Sequence, residues 1–160
     1  MSIEKVTQLM DTQEVRLRPA SASDYDFVYQ LRRATMQKYV EAIWGWDEGA
    51  QRQRFAVSFN PSISQIIVVG DQDVGELALV EEDDVLYLKG IYILPTYQNR
   101  GVGTAVLHHL LAQARARRQP VTLQVFKMNP ARQLYERLGF AVVGESEPYY
   151  LMKVELAEMR

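Results

Sequence analysis

The feature that most narrows the fold is the stretch "LPTYQNRGVGTAVLHHLL", Leu94 to Leu111. An extended apolar run, "VLYLKGIYIL", ends just before a proline. After two glycines one residue apart, Val102, Val106, Leu110 and Ala114 recur on one helical stripe. The change of period marks a strand feeding directly into a helix. The first N–H groups of a helix have no intrahelical partner and sit at the positive end of its dipole. Gly101 and Gly103 carry no Cβ, so an anion can approach that backbone closely. Arg100 can add a charge-assisted contact. The loop lacks the Lys-Ser/Thr of a Walker sequence, and Val106 stands where a dinucleotide fingerprint needs its third glycine. Local chemistry leaves two readings: a phosphate site, or a turn that lets the helix pack tightly on its strand.

The rest of the chain supplies the elements around this junction. "VRLRP" alternates as a short strand, and Ser21 with Asp24 makes a variant capping box. Phe27, Val28, Leu31, Thr35 and Tyr39 give a first helix to about Val40. "EAIWGWDEG" interrupts it, and Asp47 caps a second helix carrying Phe55 and Phe59. "QIIVV", "VGELALV" and "VLYLKGIYIL", joined by short polar turns, form an antiparallel meander. After the glycine-led helix come the strand "PVTLQVF", the helix "NPARQLYERLG" with Asn129 as cap, and the strands "FAVVGE" and "YYLMKVEL". The order is β-α-α-β-β-β-α-β-α-β-β, an α+β (α/β sandwich) fold around a mixed central sheet flanked by helices. The strands on either side of the glycine-led helix are expected to run parallel. Residues 1–14 read as a flexible extension and residues 15–160 as one domain.

Composition removes several function classes. Lys and Arg total 18 against 20 Asp and Glu, with no basic face, which argues against nucleic acid as a partner. The chain has no cysteine, so it holds no disulfide, thiolate metal site or cysteine nucleophile. The adjacent His108 and His109 lack metal-ligand spacing, and no metal is expected. No apolar run has the length of a membrane span and the N-terminus lacks a signal-peptide core, so a cytoplasmic location is expected.

The stretch Gln98, Gly101 and Gly103, with Pro95 upstream, resembles the cofactor-binding motif Gln/Arg-x-x-Gly-x-Gly/Ala of the GNAT superfamily of N-acetyltransferases. "NPARQLYERLGF" is similar to that superfamily's later helix, with Ala131, Leu134, Tyr135, Gly139 and Phe140 in register. The resemblance implies acetyl-CoA as co-substrate. Its pyrophosphate would lie on the N–H groups of Asn99, Arg100, Gly101, Val102, Gly103 and Thr104, with Gln98 in the motif. Its pantetheine would pair with the backbone of Ile91, Tyr92 and Ile93. The implied reaction is attack of a primary amine on the thioester, the amine belonging to a small molecule or a peptide. Tyr135 matches the tyrosine that often protonates the departing thiolate. Asn129 lies one position from the asparagine that contacts pantetheine in many relatives, and either serves the cofactor through a shifted turn or only caps its helix. No carboxylate stands on the central strand, and Glu76 on its neighbour is the nearest candidate base, against the alternative of a solvated strand-face glutamate. Tyr39, Trp44 and Trp46, beside Glu41, Asp47 and Glu48, fall where the superfamily builds the acceptor wall. Aromatics and carboxylates there suit a cationic amine. The missing base keeps a non-catalytic acyl-CoA-binding module open as a second reading. A homodimer is possible on the resemblance, although no sequence feature specifies an interface.

Overall fold

The computed structural model describes residues 4–8 and 14–155. Twelve elements follow in the order β1 (Glu4–Gln8), β2 (Glu14–Pro19), α1 (Tyr25–Trp44), α2 (Glu48–Ser58), β3 (Ser64–Val69), β4 (Gln72–Glu82), β5 (Val85–Ile93), α3 (Val102–Ala116), β6 (Val121–Phe126), α4 (Ala131–Arg137), β7 (Ala141–Ser146) and β8 (Tyr149–Val154). They form one eight-stranded mixed sheet, ordered β1-β2-β3-β4-β5-β6-β8-β7. The expected element order is found, with one addition. Within the extension assigned to residues 1–14, Glu4–Gln8 form a strand antiparallel to β2. Its polar composition hides it, because an edge strand needs no apolar alternation to pair. Glu14, the last residue of that assignment, opens β2, while residues 1–3 and 9–13 lie outside the described residues, as do 156–160 at the other end of the domain.

Two apolar layers sandwich the sheet. Ile67 and Val69 of β3 join Val15 and Leu17 in a core that α3 covers with Val106, Leu107, Leu110 and Leu111. Ile66 and Val68 point the other way and pack with Val28 and Tyr29 of α1 and Phe55 of α2. Ile66 to Val69 are therefore apolar without alternation because both faces of the strand are buried there. α1 runs four residues beyond the Val40 expected as its end, since Glu41 to Trp44 contain no helix breaker. Gly45 stops it with φ 81°, and its N–H bonds Glu41 O. Asp47 caps α2 as expected, its carboxylate accepting from Ala50 N at 2.9 Å.

The meeting of β5 and β6 positions the site. The two strands are parallel, as expected, and pair only at Leu86–Val121, Tyr87–Thr122 and Leu88–Leu123. Beyond Leu88 they part, although β5 continues to Ile93 and β6 to Phe126. On the other side of β5, Leu79 faces Leu88 and Ala78 faces Gly90, which leaves Lys89 as an extra residue. Such a bulge bends and twists its strand. It falls where β5 turns away from β6, and it leaves Gly90 to Ile93 with no strand paired on that side.

Candidate active site

Two cavities open into this parting. One, of about 560 Å³, is lined by Ile91 to Ile93, by the loop residues Gln98 and Asn99, and by Gly101 to Thr104. The other, of about 410 Å³, lies between α1, α2 and the parted strands. Ile91, Tyr92, Asn129 and Tyr135 line both, so the cavities share a wall.

The loop has the backbone of an anion cradle. Asn99 and Gly101 adopt left-handed conformations, φ 61° and 83°, on either side of Arg100. Alternation of this kind turns successive N–H groups toward one concavity. At Gly103 a Cβ would meet nothing closer than Leu134 Cδ2 at 4.0 Å. The space over this backbone is open, and a side chain would project into it. The donor set and the room above it therefore fit a pyrophosphate. Gln98 Nε2 donates to Ile93 O at 2.9 Å, fastening the loop to the end of β5. Arg100 instead lies over the Tyr97 ring at 5.0 Å and is absent from the cavity lining.

Tyr135, one turn into α4, is buried and packs edge-on against Phe140. Burial, with a smaller contribution from Tyr92, raises its pKa above the ordinary tyrosine value, so its hydroxyl keeps its proton at neutral pH. Asn129 does two things at once. Its Oδ1 accepts from Ala131 N at 2.9 Å, which caps α4, while the residue also lines both cavities.

Glu76 is neither solvated nor open to a ligand. It is fully buried and absent from the lining of both cavities. Arg32 donates from Nε to Oε1 at 2.9 Å and from Nη2 to Oε2 at 2.8 Å, and Ser64 Oγ donates to Oε2 at 2.7 Å. Burial works against the charge on Arg32, but the bonds and charge of Glu76 outweigh it and the pKa rises. The guanidinium sits 5.2 Å from the Phe55 ring and 5.5 Å from the Tyr92 ring. Glu76 thus holds Arg32, which lines the acceptor-side cavity.

Of the three aromatics expected on the acceptor wall, Trp46 alone lines that cavity. Trp44 is 58% exposed and packs edge-on against Phe126 on the outside of the wall. Tyr39 is buried behind it and donates from its hydroxyl to Asn129 Oδ1 at 3.4 Å. The neighbouring carboxylates also stay out of the lining. Glu48 accepts from Trp46 Nε1 at 3.0 Å, Tyr29 Oη at 2.7 Å and Arg52 Nε at 2.8 Å. Those bonds, that from Trp46 foremost, lower its pKa to about 2. Arg32, Arg33, Arg54 and Lys89 do line the cavity, and no Asp or Glu is among the described lining residues. Sequence spacing did not mark these cations, since they come from two helices and a strand bulge.

The layered sheet, the parted parallel strands and the glycine cradle define an acyltransferase-type α/β sandwich. A family model described as the acetyltransferase (GNAT) domain matches residues 62–142, and the chain belongs to that family. Among relatives, it is similar to the [ribosomal protein bS18]-alanine N-acetyltransferase of Haemophilus influenzae, 41% identical over 68 residues, 42% of this chain and 47% of that protein. It is also similar to the 5-NmdU N-acetyltransferase of Pseudomonas phage PaMx11, 42% identical over 65 residues, 40% of this chain and 44% of that one. The matched stretches thus span under half the length of each relative. In fold it resembles the PaiA N-acetyltransferase of Thermoplasma acidophilum, solved with coenzyme A, at a TM-score of 0.72 and 15% identity over 97% of this chain and 99% of that one. Among the described residues no helix is long and apolar enough to cross a membrane.

Proposed function

We propose that this chain is an N-acetyltransferase that moves an acetyl group from acetyl-CoA to a primary amine. The observation that carries the reading is the shared wall of the two cavities, where Ile91, Tyr92, Asn129 and Tyr135 face both. Acetyl-CoA, when bound, supplies a thioester whose carbonyl carbon accepts the amine lone pair. The cradle from Asn99 to Thr104 binds its pyrophosphate, and Gln98 keeps that cradle in register with β5. The unpaired edge of β5 from Gly90 to Ile93 orients an amide-bearing arm by strand-like hydrogen bonds. A backbone N–H on that edge stabilises the oxyanion that develops. Tyr135 would donate its hydroxyl proton to the leaving sulfur, while the amine nitrogen gives up one proton to water as the amide forms, and the phenolate then regains a proton from water, which closes the cycle.

Glu76 takes no part in proton transfer in this account; it positions Arg32. Holding amine and thioester together across one wall supplies much of the rate, since such alignment is worth up to roughly 7–11 kcal/mol in favourable cases. The two relatives named above, by their printed names, acetylate different amines, which supports the reaction class and leaves the acceptor to this chain's own cavity. The test is thiol release from acetyl-CoA over a panel of primary amines. Release that depends on both substrates is expected. Tight coenzyme A binding with no release on any amine would replace this reading with the acyl-CoA-binding module.

A further inference from the structure

We propose that the acceptor is a small amine carrying an anionic group, a carboxylate or a phosphate, bound at its far end by Arg54 and Lys89. This rests on the reading of the 410 Å³ cavity as the acceptor site. Four cations line that cavity and no described carboxylate does. Two of them are already matched: Arg32 is held by Glu76, and Arg33 Nε lies 3.7 Å from Glu48. Arg54, on α2, makes no ion pair with any described residue, and neither does Lys89, whose ammonium lies 5.9 Å from the Tyr87 ring. The cavity lining therefore keeps two positive charges without an ion-pair partner among the described residues, one from α2 and one from the β5 bulge. A wholly cationic polyamine would be repelled by them.

The volume lies near the lower end of ordinary small-ligand pockets, roughly 300–1,000 Å³. It suits a free small molecule rather than a folded protein surface.

The experiment is equilibrium binding to the coenzyme A-loaded protein, followed by tryptophan fluorescence and repeated at two ionic strengths. The probes are 4-(aminomethyl)benzoate against 4-(aminomethyl)benzamide, and O-phosphoethanolamine against ethanolamine, so that the carboxylate and phosphate arms are read separately. At least one anionic member is expected to bind roughly three- to tenfold tighter than its neutral partner, as for one or two partly exposed ion pairs. That preference should shrink with added salt and disappear in the Arg54→Gln/Lys89→Gln double variant, both positions being exposed. Equal or weaker binding of both anions, binding of no probe, or a preference that survives in the variant would overturn the proposal. Thiol release with the same probes tests the catalytic reading separately: bound acid without turnover leaves the charge preference standing and removes the enzyme.

Discussion

Replacing Glu76 with Ala should cost stability first and chemistry second. The side chain has 0% exposure and its partner Arg32 keeps 27% of its own, so the substitution strands a guanidinium in a largely dry site. It also leaves the Ser64 hydroxyl without its acceptor. Removing one member of a buried pair costs about 3–5 kcal/mol. The residual exposure of Arg32 puts this case near the lower end, about 3 kcal/mol. At about 2–4 °C per kcal/mol for a domain of this size, Tm should fall by roughly 6–12 °C. The assay is reversible thermal unfolding of wild type, Glu76→Ala, Arg32→Met and the Glu76→Leu/Arg32→Met double variant. The double variant should recover much of the loss, because it removes both charges together. A Glu76→Ala protein with unchanged Tm and abolished thiol release would refute the positioning role and return Glu76 to catalysis.

Gly103→Ala should leave stability unchanged or slightly higher, since alanine favours a helix by about 1 kcal/mol over glycine and its Cβ would meet only Leu134 Cδ2, without a clash, at 4.0 Å. Coenzyme A affinity should change little, since the motif accepts alanine at this position, whereas the bulkier Gly103→Val, whose branches fill the space over the cradle, should raise the coenzyme A Kd roughly tenfold or more by calorimetry. Tyr135→Phe should lower kcat by at least tenfold with coenzyme A affinity nearly intact, measured by initial rates and titration. Burial raises the folded pKa of Tyr135, so its contribution to stability is complete below the unfolded value of about 10 and is lost as pH climbs above it. Alkaline unfolding should accordingly be less steep in the Phe variant. Glu48 runs the other way. Its pKa falls from 4.5 to about 2, so its support for Trp46 is present above pH 4.5 and is lost toward pH 2. A change in tryptophan emission over that interval, absent in Glu48→Gln, is the expected signature.

The parts of this molecule legible in its sequence are those that local physics dictates. The period change and glycines at Leu94–Leu111 announce the strand, the glycine turn and the helix, and all three form where expected. Asp47 and Gly139 mark helix ends through chemistry that acts within a few residues. What stayed hidden depends on partners distant in sequence. Arg32 and Glu76 are 44 residues apart, and neither shows by itself that the pair is buried. Trp44 and Trp46 look equivalent on paper. The extra turn of α1 rotates the first outward against Phe126, while the second, beyond Gly45, faces the cavity. The acidic wall expected around them failed for a similar reason: Glu48 is consumed by neighbours that α1 and α2 bring to it. The cavity is left to cations from α1, α2 and the β5 bulge.

The most direct measurement of the central claim is thermal unfolding with coenzyme A, acetyl-CoA, ATP and NAD, each added alone. A ligand at 100 times its Kd adds about 2.7 kcal/mol. That should raise Tm by roughly 5–10 °C for a chain of this size. That rise is expected with coenzyme A and acetyl-CoA, and it should fall to about half in Gly103→Val at the same ligand concentration, since a tenfold weaker Kd leaves about 1.4 kcal/mol. A rise with ATP or NAD in their place, or none with any of the four, would contradict that claim.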